Sequence, residues 1–290
     1  MSFLPVLPVI VFFMMIIVGT DIQRGQLGSA VSMRPALVGA TLGQLLLLPL
    51  IAVLLVWLLR PSLAVAGGLL LLAVSPGGGM SNYYCALARL NVAFSVTLTA
   101  VSGFIALLTM PILFATVVPA ALRVEAFGVP VGEMMTRLLL FLVLPVAMGM
   151  VLRRLFSALI ERAGSAIRAF GLGLLLVFLT LILIDEREAV VTMFGEAIAV
   201  IVAFTLLALL AGWACAGVLR LGRPDRAVVA VEFATRHVGI AALLALTTLQ
   251  KPEFAAFGAL CILFQAPFLA LALLFNQKRR GRLAPQGSVD

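Results

Sequence analysis

Ser75-Pro76-Gly77-Gly78-Gly79-Met80-Ser81-Asn82 follows an unbroken apolar run from Leu63 to Val74 and interrupts it. Proline removes a backbone donor, and three consecutive glycines make a helix costly. In hydrocarbon every freed N–H and C=O must find a partner, so broken backbone at membrane depth is tolerated only inside protein or beside a wet cavity. A second polar cluster, Glu232, Arg236 and His237, interrupts another apolar segment in the other half of the chain. Two interrupted helices in corresponding halves point to the binding site of a membrane transporter.

The rest of the chain agrees. It has 290 residues, 63% hydrophobic and 11% charged, with a mean hydropathy of +1.23. A soluble core needs no such composition. Nine apolar segments are expected at roughly 3–20, 36–59, 63–88 (broken), 92–118, 134–152, 166–184, 189–219, 226–249 (broken) and 253–276, most of them near the ~20 residues that span a bilayer core. The fold expected is therefore all-α and polytopic, a single transmembrane unit over 1–277 followed by a polar tail at 278–290. Met1–Pro5 carries no basic residue ahead of the first segment, which reads as a retained helix rather than a leader.

The formal net charge is +8, but it lies in short connections, as membrane orientation signals do, and is no sign of nucleic-acid binding. With nine spans, Arg24, Arg34, Arg89, Arg153, Arg154, Arg162, Arg168, Arg220, Arg223, Arg226, Lys278, Arg279, Arg280 and Arg282 fall on one side. Only Arg60, Arg123, Arg137, Arg187 and Lys251 fall on the other. This asymmetry predicts an outside N-terminus and a cytoplasmic C-terminus. Cys85, Cys215 and Cys261 sit in or beside apolar runs without metal-ligand spacing, so neither a transition-metal site nor a disulfide framework is expected.

An internal echo links the halves. Pro111 follows Asn82 by 29 positions and Pro267 follows His237 by 30, as an inverted repeat would produce.

The polar residues define the chemistry. Ser81 and Asn82 are adjacent and share a site only where backbone is unwound. Ser95 and Thr99 lie four apart, on one helix face. Together these side chains offer neutral oxygens suited to a hard cation; the plain alternative is hydrogen bonding between packed membrane helices. Glu232 is a carboxylate at membrane depth and a functional residue by default. It reads as the negative charge of a cation site, or as an ion pair with Arg236 four residues on. His237, the one histidine, reads as an anion contact, a proton carrier or a buried structural residue. Gln44 and Gln265 read as cavity-facing ligands or as inter-helix hydrogen-bonding groups. No nucleophile–base constellation, nucleotide loop or metal cluster is present, and no enzyme is indicated.

In this order these motifs resemble the bile acid:sodium symporter family. Ser75–Asn82 is similar to that family's first broken helix, Asn91–Thr99 to its next helix, and Glu232-Phe233-Ala234-Thr235-Arg236-His237 to its second broken helix, where Glu-x-x-x-Gln-Asn is usual. Gln44 with Pro49 is similar to an earlier family position. The resemblance implies two crossing broken helices in a core domain (about 36–118 and 189–276), a panel domain (about 3–20 and 134–184) and transport by alternating access, with Na⁺ as the coupling ion and no other cofactor. It implies a first sodium site of Ser81, Asn82, Ser95, Thr99 and Glu232, and a second-site region of Gln44, Phe233, Thr235 and Arg236, Glu232 being shared. Substrate contacts are expected from Gly79, Arg236, His237 and Gln265.

Arg236 stands where the family has glutamine. A guanidinium has only donors and a permanent charge, so it cannot ligate Na⁺. It would occupy the second site itself, or contact an anionic substrate. The reading is a sodium-coupled symporter of a small organic anion in a bacterial inner membrane. A proton-coupled transporter or uniporter of the same fold, and a non-transporting receptor or assembly subunit, are the alternatives. The sequence leaves the oligomeric state open, and a monomer is compatible with it.

Overall fold

The computed structural model describes residues 4–22, 33–122 and 128–283. Arg24, Arg123 and the end of the polar tail, part of the orientation argument above, lie outside the described residues. Those described are helical with no β-strand: α1 (Leu7–Asp21), α2 (Arg34–Leu59), α3 (Leu63–Val74), α4 (Met80–Leu87), α5 (Val92–Leu122), α6 (Val131–Leu138), α7 (Leu144–Leu155), α8 (Ser157–Arg162), α9 (Gly164–Asp185), α10 (Arg187–Val218), α11 (Arg223–Ala234), α12 (Val238–Thr247) and α13 (Pro252–Leu283).

Local chemistry sets many of the ends. Prolines stand in the first turns of α1, α2, α7 and α11, where no intrahelical donor is lost. Arg60, Arg89, Arg220 and Gln250 adopt the left-handed conformation where helices stop. Pro145 has no N–H to return to Phe141, and the chain joins α6 to α7 through a π-helical turn, Leu139–Val143.

Among the described residues, five helical stretches are long and apolar enough to cross a membrane: Arg34–Leu59, Val92–Leu122, Val131–Leu155, Gly164–Asp185 and Arg187–Val218. Shorter apolar helices occupy Leu7–Asp21, Leu63–Val74, Val238–Thr247 and Pro252–Pro267. Val38, Leu42, Leu46, Leu50 and Leu54 form an exposed stripe along α2, a face suited to lipid. By contrast, α3 is buried throughout Val65–Val74 and α12 throughout Val238–Ala245. One limb of each interrupted helix, with the break itself at Ser75–Gly78 and Thr235–His237, thus lies inside protein, as broken backbone in hydrocarbon requires.

The halves match in form. A 12-residue helix, a break, a short helix of 8 residues and a proline-bearing helix of 31 run from α3 to α5. The same sequence of 12, 10 and 32 residues runs from α11 to α13. Pro111 and Pro267 both lie inside the long helices.

Candidate ion site at the crossing of two broken helices

The two breaks meet. Gly77 and Arg236 form a short antiparallel bridge. His237 N donates to Pro76 O at 2.9 Å and Gly78 N donates to Thr235 O at 3.0 Å. Each break thereby satisfies backbone groups that the other leaves open. Gly77 N donates to Ser102 Oγ at 3.2 Å, and Ser102 Oγ donates to Thr99 O at 3.0 Å.

The glycines act here through space. No described glycine has a positive φ. A Cβ on Gly77 would collide with Glu232 Oε1, and one on Gly78 would lie 2.7 Å from Arg236 O. The crossing is closer than side chains permit. Gly79 is different: its φ of −57° and ψ of −17° are already helical, and a Cβ there would make an ordinary 3.4 Å contact with Val18.

Glu232, in the last turn of α11, is 0% exposed. Thr99 Oγ1 donates to its Oε1 at 2.7 Å and Ser95 Oγ to its Oε2 at 3.4 Å. Ser95 Oγ also lies 2.8 Å from Asn82 Oδ1, and Thr99 Oγ1 lies 3.4 Å from the same atom. Ser81 Oγ reaches Gly78 O at 2.9 Å and Thr99 Oγ1 at 3.4 Å. All five residues expected at a first site are therefore brought together from α4, α5 and α11.

Their proton count matters. Ser81, Ser95 and Thr99 have one hydroxyl proton each, yet they face two carboxylate oxygens, Asn82 Oδ1 and two backbone carbonyls. Acceptor oxygens exceed donors, and no ion pair joins Glu232 to a cation among the described residues. A buried carboxylate without a partner costs several kcal/mol. The arrangement fits a small hard cation.

The alternative of a Glu232–Arg236 ion pair is not met. That spacing works on an intact helix, but α11 ends at Ala234, and Thr235 is extended (φ −95°, ψ 100°). The break turns Arg236 away. Its Nη1 donates to Gln44 Oε1 at 2.8 Å, and its Nη2 donates to Ser75 O at the end of α3. A cation there suits the negative end of the helix dipole.

Around Arg236 some oxygens are engaged, while the Thr235 hydroxyl is buried without a hydrogen-bond partner. Gln44 Oε1 is taken by the guanidinium, and Thr235 O is taken by Gly78 N. Gln44 Nε2 and Arg236 Nε, both donors, are buried there without a hydrogen-bond partner. Phe233 wedges its ring between helices, 3.0 Å from where a Gly43 Cβ would stand and 2.9 Å from one on Gly212.

His237 caps α12: its Nδ1 accepts from Ile240 N at 3.3 Å. This tautomer carries its proton on Nε2. His237, Asn82 and Thr99 line a narrow cleft whose other walls include Met15 and Val18 of α1, Phe104 of α5, Leu142 of the π-helical turn and Val146 of α7. Gln265 is not on this cleft. Its Nε2 donates to Ala234 O and to Thr205 Oγ1, each at 2.9 Å, and so holds the end of α11. Ser102 and Thr205 were not singled out from the sequence. Ser102 continues the face of Ser95 and Thr99 at helical spacing, a usable signal; Thr205 has none.

Comparison with known proteins follows the same lines. The sequence profile of the sodium bile acid symporter family matches residues 8–193. An uncharacterized sodium-dependent transporter of Bacillus subtilis, YocS, is 24% identical over 70% of this chain and 62% of its own length. A probable chloroplastic sodium/metabolite cotransporter of Arabidopsis thaliana, BASS5, is 27% identical over 73% of this chain and 53% of its own. The P3 protein of Bos taurus is 30% identical over 81% and 48%. The chain thus spans about half to three-fifths of the length of these curated relatives.

Proposed function

The chain belongs to the sodium bile acid symporter family, a family of transporters rather than enzymes, and from that premise we propose that it is a sodium-coupled symporter of a small organic anion. The observation that carries this reading is the convergence of Ser81, Asn82, Ser95, Thr99 and Glu232 where the two breaks cross. Sodium bound there would neutralise Glu232 and tie α4, α5 and α11 together, three elements that otherwise meet through shared protons. Asn82 and Thr99 also line the cleft, so the ion would stand at its floor.

The cleft is the proposed substrate site. Its walls are apolar, and its polar groups are concentrated near the crossing: Asn82, Thr99 and His237, whose Nε2–H is a donor for an anionic group. Gly79 and Arg236 are not among the residues that line this cleft. The proposed architecture is nine spans over 1–277, with α1 and α6–α9 as panel and α2–α5 with α10–α13 as core. Alternating access would move one against the other. The cleft lies between these groups, which favours that division. The bacterial inner membrane, with the C-terminal tail in the cytoplasm, is the proposed location.

Arg236 would supply the second positive charge in place of a second sodium ion. The donation to Gln44 Oε1 supports this, because it removes an oxygen that such an ion would need.

Sodium-dependent thermal stabilisation of the purified protein tests the reading. Wild type should be stabilised by NaCl and not by matched choline chloride. Asn82→Ala and Thr99→Ala should stay folded and raise the sodium requirement by at least about tenfold. Unchanged sodium response in both variants would overturn the assignment. Stabilisation that follows pH and ignores sodium would favour the proton-coupled alternative.

A further inference from the structure

α5 holds a single glycine, Gly103, inside its 31 residues. Glycine within a helix costs stability relative to alanine. Elsewhere in this fold buried glycines answer to close approach: Gly19, Gly67, Gly77 and Gly149 each stand where a Cβ would strike a neighbour. Gly103 has no such neighbour. A Cβ there would meet nothing within 4 Å, and no described glycine has a positive φ. Neither helix packing nor a turn requires glycine at this position.

What lies in front of Gly103 is the cleft. Val96, Thr99, Ala100, Gly103 and Phe104 line it and recur at helical spacing on one face of α5. Thr99 is 7% exposed and Phe104 51%, so this face runs from the buried crossing to the surface. Asn82 and His237 supply polar groups at the Thr99 end. Gly103 stands one helical turn farther out, about 6 Å from Thr99 along the axis. Among the described glycines with open space at Cβ, Gly103 is the one that lines the cleft.

We propose that Gly103 determines substrate size: its bare backbone leaves room for the part of the anion that lies one helical turn from the charged group. This rests on the cleft being the substrate site. The charged group would stand at Asn82 and His237, and carbon would fill the space at Gly103, where the lining is apolar. With about 6 Å to cover, a chain of roughly three carbons stops short of Gly103 and one of roughly six reaches it. A side chain added at position 103 would therefore take room from the longer anion first.

Propionate and hexanoate, at fixed NaCl, are the probes on the purified full chain. Gly103→Cys puts a thiol into the open space. Wild type is the blank for labelling by a small charged methanethiosulfonate, since Cys85 and Cys261 are buried and Cys215 is half-buried. The introduced thiol should label, and hexanoate should slow labelling at least about tenfold where propionate has no effect. In thermal stabilisation, Gly103→Leu should lose at least about tenfold of the wild-type preference for hexanoate over propionate. Gly103→Ala, with one methyl in open space, should lose less. If Gly103→Leu does not fold, the labelling result decides alone. Sodium-dependent stabilisation of wild type is read separately: its absence would remove the sodium-coupled reading of the crossing and leave the labelling result standing. A thiol that does not label would overturn the proposal, as would labelling that the two carboxylates slow equally or not at all. Equal losses in Gly103→Ala and Gly103→Leu at both chain lengths would also overturn it, since the glycine would then supply backbone freedom to α5 instead of room.

Discussion

In the proposed function, Arg236 sets how much positive charge the crossing accepts. It is buried, permanently charged and bonded through both terminal nitrogens, to Gln44 and to Ser75 O. A sodium ion beside it would meet the repulsion of a fixed positive charge. Arg236→Gln should free Gln44 Oε1, add a carbonyl oxygen, and steepen the sodium dependence of stability toward two ions. Parallel titrations of wild type and variant would read this, and identical sodium curves would remove Arg236 from the account. If the guanidinium instead bound the substrate anion, the variant would lose substrate response while its sodium curve stayed put. Glu232 and its oxygen partners were readable from the sequence because each is a polar residue at an expensive depth. The Glu232–Arg236 pair, the second of the two readings open for Glu232, does not form, because a spacing of four implies contact only along an unbroken helix and α11 ends at Ala234. Gln265 was ambiguous for a related reason: apolar neighbours do not reveal whether an amide faces a cleft or the end of another helix, here Ala234 O.

The broken helices work as a crossed pair of strand-like segments, each completing the other's hydrogen bonds. Proline and glycine announced where the first would break, but their chemistry suggested unwinding through glycine's freedom, whereas the structure uses their lack of a side chain. This distinction is testable by position. Gly77→Ala would drive a Cβ into Glu232 Oε1, and Gly78→Ala would press on Arg236 O. Each should lower stability by about 1–3 kcal/mol, as overpacking does, and Gly77→Ala should blunt the sodium response as well. Gly79→Ala, with only Val18 at 3.4 Å, should leave the melting midpoint near that of wild type. Equal losses at all three positions would show that backbone freedom, and not space, is what the glycines supply. Ser102 is the outside support of this crossing. Ser102→Ala leaves Gly77 N buried without an acceptor and should destabilise by about 1–3 kcal/mol, read as a fall in melting temperature.

At the scale of the molecule, the account rests on two bodies moving past one cleft. α1 and α7 approach backbone to backbone: a Cβ on Gly19 would strike Val146 O, and one on Gly149 would strike Ile16 O. Gly149→Leu should separate these helices and abolish substrate-dependent uptake into proteoliposomes, with sodium-dependent stabilisation retained because the crossing lies elsewhere. Orientation is argued from basic residues alone. A reporter fused after Gln277 should be active on the cytoplasmic side, and a periplasmic signal would contradict the nine-span arrangement. The internal echo was faint in sequence, two prolines about thirty residues past a polar break. In the structure the helix lengths from α3 to α5 and from α11 to α13 run in parallel, which is what the proposed repeat would produce. The central claim is that one sodium ion binds at the crossing and the guanidinium stands in for another. Equilibrium binding of radioactive sodium to the purified chain measures this directly. The account predicts one ion per chain with a Hill coefficient of about 1, and greatly weakened binding in Asn82→Ala. Two ions bound cooperatively to wild type, or undiminished binding in Asn82→Ala, would contradict it.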